Sequence, residues 1–366
     1  MGGGNDTIRS NRFPYFAESL IVNNLNTSSV TDKIQKLKQR ARIIQLIRQF
    51  FINQDFLEVA TPLLVKSPGT EPYLEVFATN LKFDTGQSTP AFLTTSPELS
   101  MKKLLAQGAG NMFQICKSFR NGEGISDYHN HEFTILEWYR VKADYTHIMQ
   151  DFEQMMMFVF EGLGRKLQIE YQGKQYDLSA PWERISIPEA FERYVGVSAD
   201  ELHDVNALNL KARDFGLNAQ KPLSYDDAFY WLFLNKIEPH LGQTKPTIIY
   251  EYPLSQAALS KTKVTDSRLA ERFEVYLAGL ELGNAFSELT DPVEQKQRMM
   301  AELQLREKLG KTKYELDEDF IRALEKGLPE TGGIAVGVDR LVMLLTNSAT
   351  IQEVLAFPID QMFATG

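Results

Sequence analysis

One cysteine in 366 residues, Cys116, leaves no internal disulfide to form, which fits a reducing compartment. No run of 18 apolar residues occurs, so no spanning helix is expected. The opening MGGGNDTIRS lacks the apolar stretch of a secretory signal, and Asp6 stands where a myristoylation site needs Ser or Thr. There is no G-x-x-x-x-G-K-[ST] loop, which removes the P-loop nucleotide binders. The five histidines, His129, His131, His147, His203 and His240, show no zinc-like spacing. Basic charge is short: 39 Lys and Arg against 48 Asp and Glu give a net −9, with no global footprint for nucleic acid. A cytoplasmic protein without membrane contact is expected.

What is present is ample for a core, with 43% hydrophobic and 24% charged residues. Residues 1–30 are rich in Asn, Ser and Gly and read as a tail. From Lys33 to Phe51, Ile34, Leu37, Ala41, Ile44, Ile47 and Phe51 recur at helical spacing, with Asp32 as a cap. The opposite face carries Lys33, Lys36, Lys38, Arg40, Arg42 and Arg48: either a solvated face or a docking face for an acidic partner. Phe56–Pro62 reads as a short strand stopped by proline. Residues 144–162 form a Met- and Phe-rich helix whose Met149, Met155, Met156 and Met157 are core filler. Gln168–Asp177 reads as a hairpin, and helical patterns fill 187–241 without metal-ligand spacing.

Four stretches carry chemistry. Phe119–Arg140, FRNGEGISDYHNHEFTILEWYR, reads as strand, polar loop, strand. Arg120 at a strand end can grip a phosphate through its planar fork, and an aromatic beyond the loop can stack on a base; a hairpin with a solvated tip is the alternative. In TTSPELSMKKLL, Ser96 and Pro97 suit a helix start, and Glu98 lies in the first turn. Residues 272–291 read as two antiparallel strands turning near Ala278 and Gly279. Glu274, Glu281 and Glu288 recur every seven residues, so they cannot share one face of a regular ladder. A bulge at Gly283 would bring them together as clustered carboxylates suited to Mg²⁺; otherwise they are three solvent-facing acids. Last, GGIAVGVDRLVMLL is a Gly-punctuated strand running into a helix at Asp339 and Arg340.

FRNGE, HNHEF and LEWY resemble motif 2 of the class II aminoacyl-tRNA synthetases, in the lysyl form. The loop is one residue longer than the family pattern, and His131 stands where the family has Pro. The helix and short strand before Pro62 resemble motif 1, which implies a homodimer, and the ending at Arg340 resembles motif 3. RFEVYLAGLELGNAFSEL is similar to the lysyl-enzyme stretch around E-x-G-N-G-F-S-E-L. Ser96 in place of Ala, Ala335 in place of Gly, and too few residues ahead of motif 1 for an anticodon-reading barrel resemble a paralogous branch, the elongation factor P–lysine ligases.

The resemblance implies an α+β fold, an antiparallel sheet flanked by helices, over residues 31–366, with 187–241 as an insertion. It implies ATP and Mg²⁺ as substrate and cofactor, (R)-β-lysine or lysine as the acyl donor, elongation factor P as the acceptor, and tRNA as an unexpected partner. Residue by residue it implies Arg120 on the α-phosphate and Arg340 on the γ-phosphate. Phe133 would lie under adenine, with Asn121, Gly122, Glu123, Asn130, Leu282 and Gly337 at the nucleotide, and Glu274 and Glu281 at the metal. Ser96, Pro97, Glu98, Tyr139, Asn284, Phe286, Glu288 and Ala335 would form the amino-acid pocket. A minimal lysyl-tRNA synthetase, an asparagine synthetase relative and a non-catalytic regulatory paralogue are the alternatives.

Overall fold

A computed structural model describes residues 27–124, 126–257 and 259–363. Its strands are β1 (Leu57–Glu58), β2 (Leu64–Val65), β3 (Ala78–Lys82), β4 (Ser88–Leu93), β5 (Met112–Phe119), β6 (Glu132–Val141), β7 (Gln168–Tyr171), β8 (Lys174–Asp177), β9 (Glu183–Ser186), β10 (Thr247–Pro253), β11 (Leu269–Leu277), β12 (Leu280–Ser287) and β13 (Thr331–Gly337). Its helices are α1 (Thr27–Asn53), α2 (Glu98–Leu105), α3 (Tyr145–Gly162), α4 (Ile187–Val195), α5 (Val205–Asp214), α6 (Tyr225–Leu232), α7 (Pro292–Lys308), α8 (Glu318–Lys326), α9 (Val338–Leu345) and α10 (Ile359–Met362).

One sheet organises the chain, in the order β1-β5-β6-β13-β12-β11-β10-β9. Its middle six strands pair antiparallel, and the edge strands β1 and β9 add in parallel. The α+β expectation holds, with parallel edges as a feature that motif reading did not supply. One face is covered by α1, α3 and α9. There Phe51 stacks on Phe113 at 5.0 Å between ring centroids and tilts against Trp138 at 5.1 Å, with Phe152, Phe160, Leu282, Val336 and Leu341 in the same core. The methionine expectation holds for Met149, Met155 and Met156, which are buried, while Met157 is half-buried. Close packing of α3 on α1 requires Gly162, where an added Cβ would lie 2.3 Å from Leu46.

The helical stretch after β9 builds its own core from Phe191, Phe229, Leu232 and Ile237, which closes on Ile249, Tyr252 and Tyr276 of the sheet. The expected tail, residues 1–30, lies outside the described residues except for 27–30, which open α1. Asp32 is therefore inside the helix rather than its cap. The burial of α1 is also displaced. Ile43, Leu46, Ile47, Phe50 and Phe51 are buried, whereas Ile34 is 48% exposed and Ala41 is exposed. The first half of α1 is held by charge instead: Lys36 pairs with Glu353, and Arg40 pairs with Asp339 at 2.5 Å.

Candidate active site

Strand register decides which side chains meet. On β11 and β12, Val275 pairs with Gly283, but Tyr276 pairs with Glu281, so one extra residue, Leu282, is bulged. Beyond the bulge the side-chain parity of β12 inverts. Glu281 thereby joins Glu274, Asn284 and Phe286 on one face, as the parity argument required. Leu282 itself turns its side chain into the opposite core and is 2% exposed, so only its backbone can meet a nucleotide. Across the middle of this face Gln114, Glu137, Ala335, Asn284 and Glu274 lie side by side, one from each of five strands. The adjacent row is Met112, Tyr139, Gly333, Phe286 and Arg272.

One end of the face is cationic. Arg120 follows β5, with its guanidinium 5.1 Å over the Phe133 ring and 3.6 Å from Glu123. Arg340, in the first turn of α9, donates to the Glu281 carbonyl at 2.9 Å and to His129 Nε2 at 2.8 Å. Because Arg only donates, Nε2 must accept. The imidazole therefore carries its proton on Nδ1, 2.7 Å from Ser126 Oγ. Burial, and then the Arg340 charge, push His129 down to about 4.

The polar loop holding His129 is pinned from below. Ile351 N–H donates to Asp127 O at 2.7 Å, and Ile359 N–H donates to Asn130 Oδ1 at 3.0 Å. The amide nitrogen of Asn130 donates to Glu132 O at 2.6 Å. Both ends of that amide are thus engaged within the protein. Asn121 is likewise engaged, its N–H on Glu75 O at 2.9 Å and its Oδ1 accepting from Gly122. Gly122, at φ +67°, makes the turn that brings this about. Gly337 ends β13, where an added Cβ would lie in van der Waals contact with the Arg340 side chain, 3.9 Å away, and with the Leu282 carbonyl, 4.0 Å away.

The middle of the face carries the paired carboxylates. Glu274 accepts from Arg272 at 2.5 Å, Tyr252 at 2.7 Å and Tyr276 at 2.9 Å. Arg272 also donates to Asn284 at 3.1 Å. Burial, then the charge of Glu274, raise the carboxyl of Glu281. Glu281 fits a hard cation that keeps most of its oxygen ligands from phosphates and water; Glu274 already accepts three hydrogen bonds, one on Oε1 and two on Oε2. Among the described residues no group of three His, Cys, Asp or Glu side chains is arranged to hold a metal alone.

The other end is acidic and closed. Pro97, rather than the expected Ser96, is the N-cap of α2, which has no side-chain cap; Ser96 Oγ still accepts from the Glu98 N–H at 3.0 Å. The Ser96 hydroxyl donates to Glu137 Oε1 at 2.5 Å, and Tyr139 donates to Glu137 Oε2 at 3.0 Å. Glu288, at the end of β12, is buried, and Gly333 makes room for it: a Cβ there would lie 2.3 Å from Glu288 Oε1. Between Glu98 and Glu288 stands Lys102, its ammonium 2.6 Å from one and 2.5 Å from the other. Burial, then the Glu98 charge, push Glu137 up to about 8, and burial pushes Glu288 up to about 7 against the pull of Lys102.

Apart from the Leu282 side chain, the expected site residues therefore gather around one face, with a cationic end, paired carboxylates in the middle and an acidic end. Sequence reasoning missed Lys102, Glu137, His129 and Arg272. Glu137 shares the parity of Tyr139 and was within reach of the alternation; Lys102, one turn from Glu98, looks like an ordinary surface ion pair until its burial is known.

Residues 23–361 match the family described as tRNA synthetases class II (D, K and N). A protein of Histophilus somni named elongation factor P–(R)-β-lysine ligase is 41% identical over 89% of the chain and 96% of its own length. A protein of the same name in Hamiltonella defensa is 39% identical over 90% of the chain and 96% of its own length. A lysine–tRNA ligase of Carboxydothermus hydrogenoformans is 37% identical over 87% of the chain, but the match takes in 64% of that protein.

Proposed function

Because the chain belongs to the class II tRNA synthetases of the D, K and N type, we propose that it is an ATP-dependent ligase joining (R)-β-lysine, or lysine, to a lysine ε-amine of elongation factor P. The observation that carries this reading is the pairing on one sheet face of a two-arginine end with a buried, carboxylate-lined end. The names of the relatives covered nearly end to end support the same choice.

In the first step a carboxylate oxygen of the amino acid attacks the α-phosphorus of ATP. A mixed anhydride forms and pyrophosphate leaves. Arg120 takes the α-phosphate and Arg340 the γ-phosphate, His129 hands Arg340 over, and Phe133 offers its ring to the base. Glu281, with Glu274 beside it, would hold Mg²⁺, which when bound would neutralise charge on the phosphates. Glu98, Glu137 and Glu288, with Tyr139, Asn284 and Phe286, take the amino-acid end. Each ammonium–carboxylate hydrogen bond there is worth about 1.5–3 kcal/mol. In the second step the acceptor nitrogen attacks the anhydride carbonyl, AMP leaves, and the amine loses a proton as the amide forms. Positioning and charge neutralisation carry both steps.

Residues 31–366 act in this reading as one catalytic domain with 187–241 inserted, and exposed Ile34, Ile52 and Leu57 suit a homodimer contact. The test is intact mass of elongation factor P after incubation with the protein, ATP, Mg²⁺ and either α-lysine or (R)-β-lysine, beside a tube holding lysine tRNA. A gain of one lysyl unit on the factor is expected, larger with β-lysine. Charged tRNA with an unmodified factor would refute the reading.

A further inference from the structure

Lys102 lies one helical turn after Glu98 and is 1% exposed. A surface pair at this spacing would be solvated and weak. Here the ammonium is enclosed and has a second partner, Glu288, from the far end of β12. Glu98, Glu137 and Glu288 make three carboxylates around a single lysine, with the hydroxyls of Ser96 and Tyr139 on Glu137. The Glu98 charge also reaches two further acids, Glu71 and Glu302, and helps to raise both.

Resting on the ligase reading above, we propose that Lys102 is the specificity-determining cation of this pocket. It offsets the charge of the carboxylates around it and holds Glu98 and Glu288 together as acceptors facing a substrate that bears two ammonium groups. Although burial works against its charge, Glu288 and then Glu98 hold the Lys102 ammonium above the usual lysine range. Its field in turn lowers the carboxyls of Glu288 and Glu137. Without it Glu288 takes up its proton at still higher pH. A protonated carboxyl donates rather than only accepts, and it no longer rejects a substrate whose side-chain amine has been replaced by hydrogen.

The test compares wild type, Lys102→Met and Lys102→Ala in amino-acid-dependent ATP–pyrophosphate exchange. The KM for lysine and β-lysine should rise on the order of 10–100-fold in Lys102→Met, the loss of one charged hydrogen bond. The KM for ATP should stay within about twofold, and discrimination against 2-aminohexanoate should shrink. Propylammonium should restore Lys102→Ala, and propanol should not. Independently of any substrate, a ¹³C-carboxyl titration of Glu288 in the ATP-free protein should show protonation at higher pH in Lys102→Met than in wild type. An unchanged Glu288 titration, or equal losses on the KM of ATP and of the amino acid, would overturn the proposal. Wild-type exchange that ignores both lysines while the Glu288 titration shifts as expected would sink the ligase reading and leave the charge role of Lys102 standing.

Discussion

The Arg40 guanidinium lies 2.5 Å from Asp339, and Asp339 is the neighbour in sequence of Arg340. The same carboxylate accepts the Thr134 N–H at 2.7 Å, next to Phe133, while Arg40 donates to the Thr134 hydroxyl at 2.7 Å. Helix α1 is thereby tied to both sides of the cationic end. Arg40→Leu strands a buried carboxylate and should cost about 3–5 kcal/mol of unfolding free energy. Asp339→Asn in the same chain should recover part of it, since the two residues share one interaction. Urea unfolding of the two single variants and the double variant measures this; strict additivity would remove the coupling.

Arg120 touches mainly the Phe133 ring and Glu123, so Arg120→Ala should fold normally. Pyrophosphate exchange should nonetheless fall on the order of 10²–10³-fold, the usual size for removing one preorganised donor at a developing charge. Retained exchange would end the assignment of this arginine to the α-phosphate.

Gly333→Ala places a methyl 2.3 Å from Glu288 Oε1 and 2.5 Å from the Tyr139 ring. Both are side chains of the acidic end, so the damage should be local. Overpacking of this kind costs about 1–3 kcal/mol. The amino-acid KM should rise roughly 10-fold, while the KM for ATP holds. A parallel rise in both would place the effect in the sheet as a whole.

His129 sets an acid limb of stability. Its folded value is pushed down to about 4 from the ordinary 6.5 by burial and the Arg340 charge. Between those values the unfolded chain binds a proton that the folded chain refuses, so stability falls as pH falls through that window. His129→Gln should flatten this part of the curve, read from urea midpoints between pH 4 and pH 7. An unchanged slope would show that His129 titrates normally in the folded protein.

The basic face of α1 is only partly available to a partner. Lys36, Arg40 and Arg48 are engaged with Glu353, Asp339 and Glu58, whereas Lys38 and Arg42 are exposed. Charge reversal at Lys38 and Arg42 together should slow transfer to the protein acceptor at low salt, with pyrophosphate exchange unaffected. Equal transfer rates for wild type and variant would leave this face as a solvated one.

The reading of the sequence went furthest where a side chain's place follows from local periodicity. The hairpin at 168–177, the Met-rich helix and the turn at Ala278 and Gly279 all follow from strand or helix period and turn chemistry. The need for a bulge was legible as one of two readings of three glutamates at a spacing of seven, but its place was not: Gly283 pairs with Val275, and the extra residue is Leu282. Lys102, Arg40 and His129 were not legible for a common reason. Each owes its role to an element distant in sequence: Glu288 lies 186 residues beyond Lys102, Asp339 lies 299 beyond Arg40, and Arg340 lies 211 beyond His129. Nothing local distinguishes such a charge from a solvated one. The exposed start of α1 went unread likewise, because apolar spacing says which residues align and not what covers them.

The bulged Leu282 makes the β11–β12 hairpin a phase-sensitive part of the molecule. Strand side chains keep time in twos, and this one extra residue is the half-beat that lets Glu281 sound with Asn284. Removing a single residue between Ala278 and Gly283 would leave Asn284, Phe286 and Glu288 in their places while turning Glu281 toward the packed core. Length, as much as composition, is therefore a coded property of this short stretch. A one-residue change of length should be far better tolerated in the exposed turn at 83–88, where no functional side chain depends on the count.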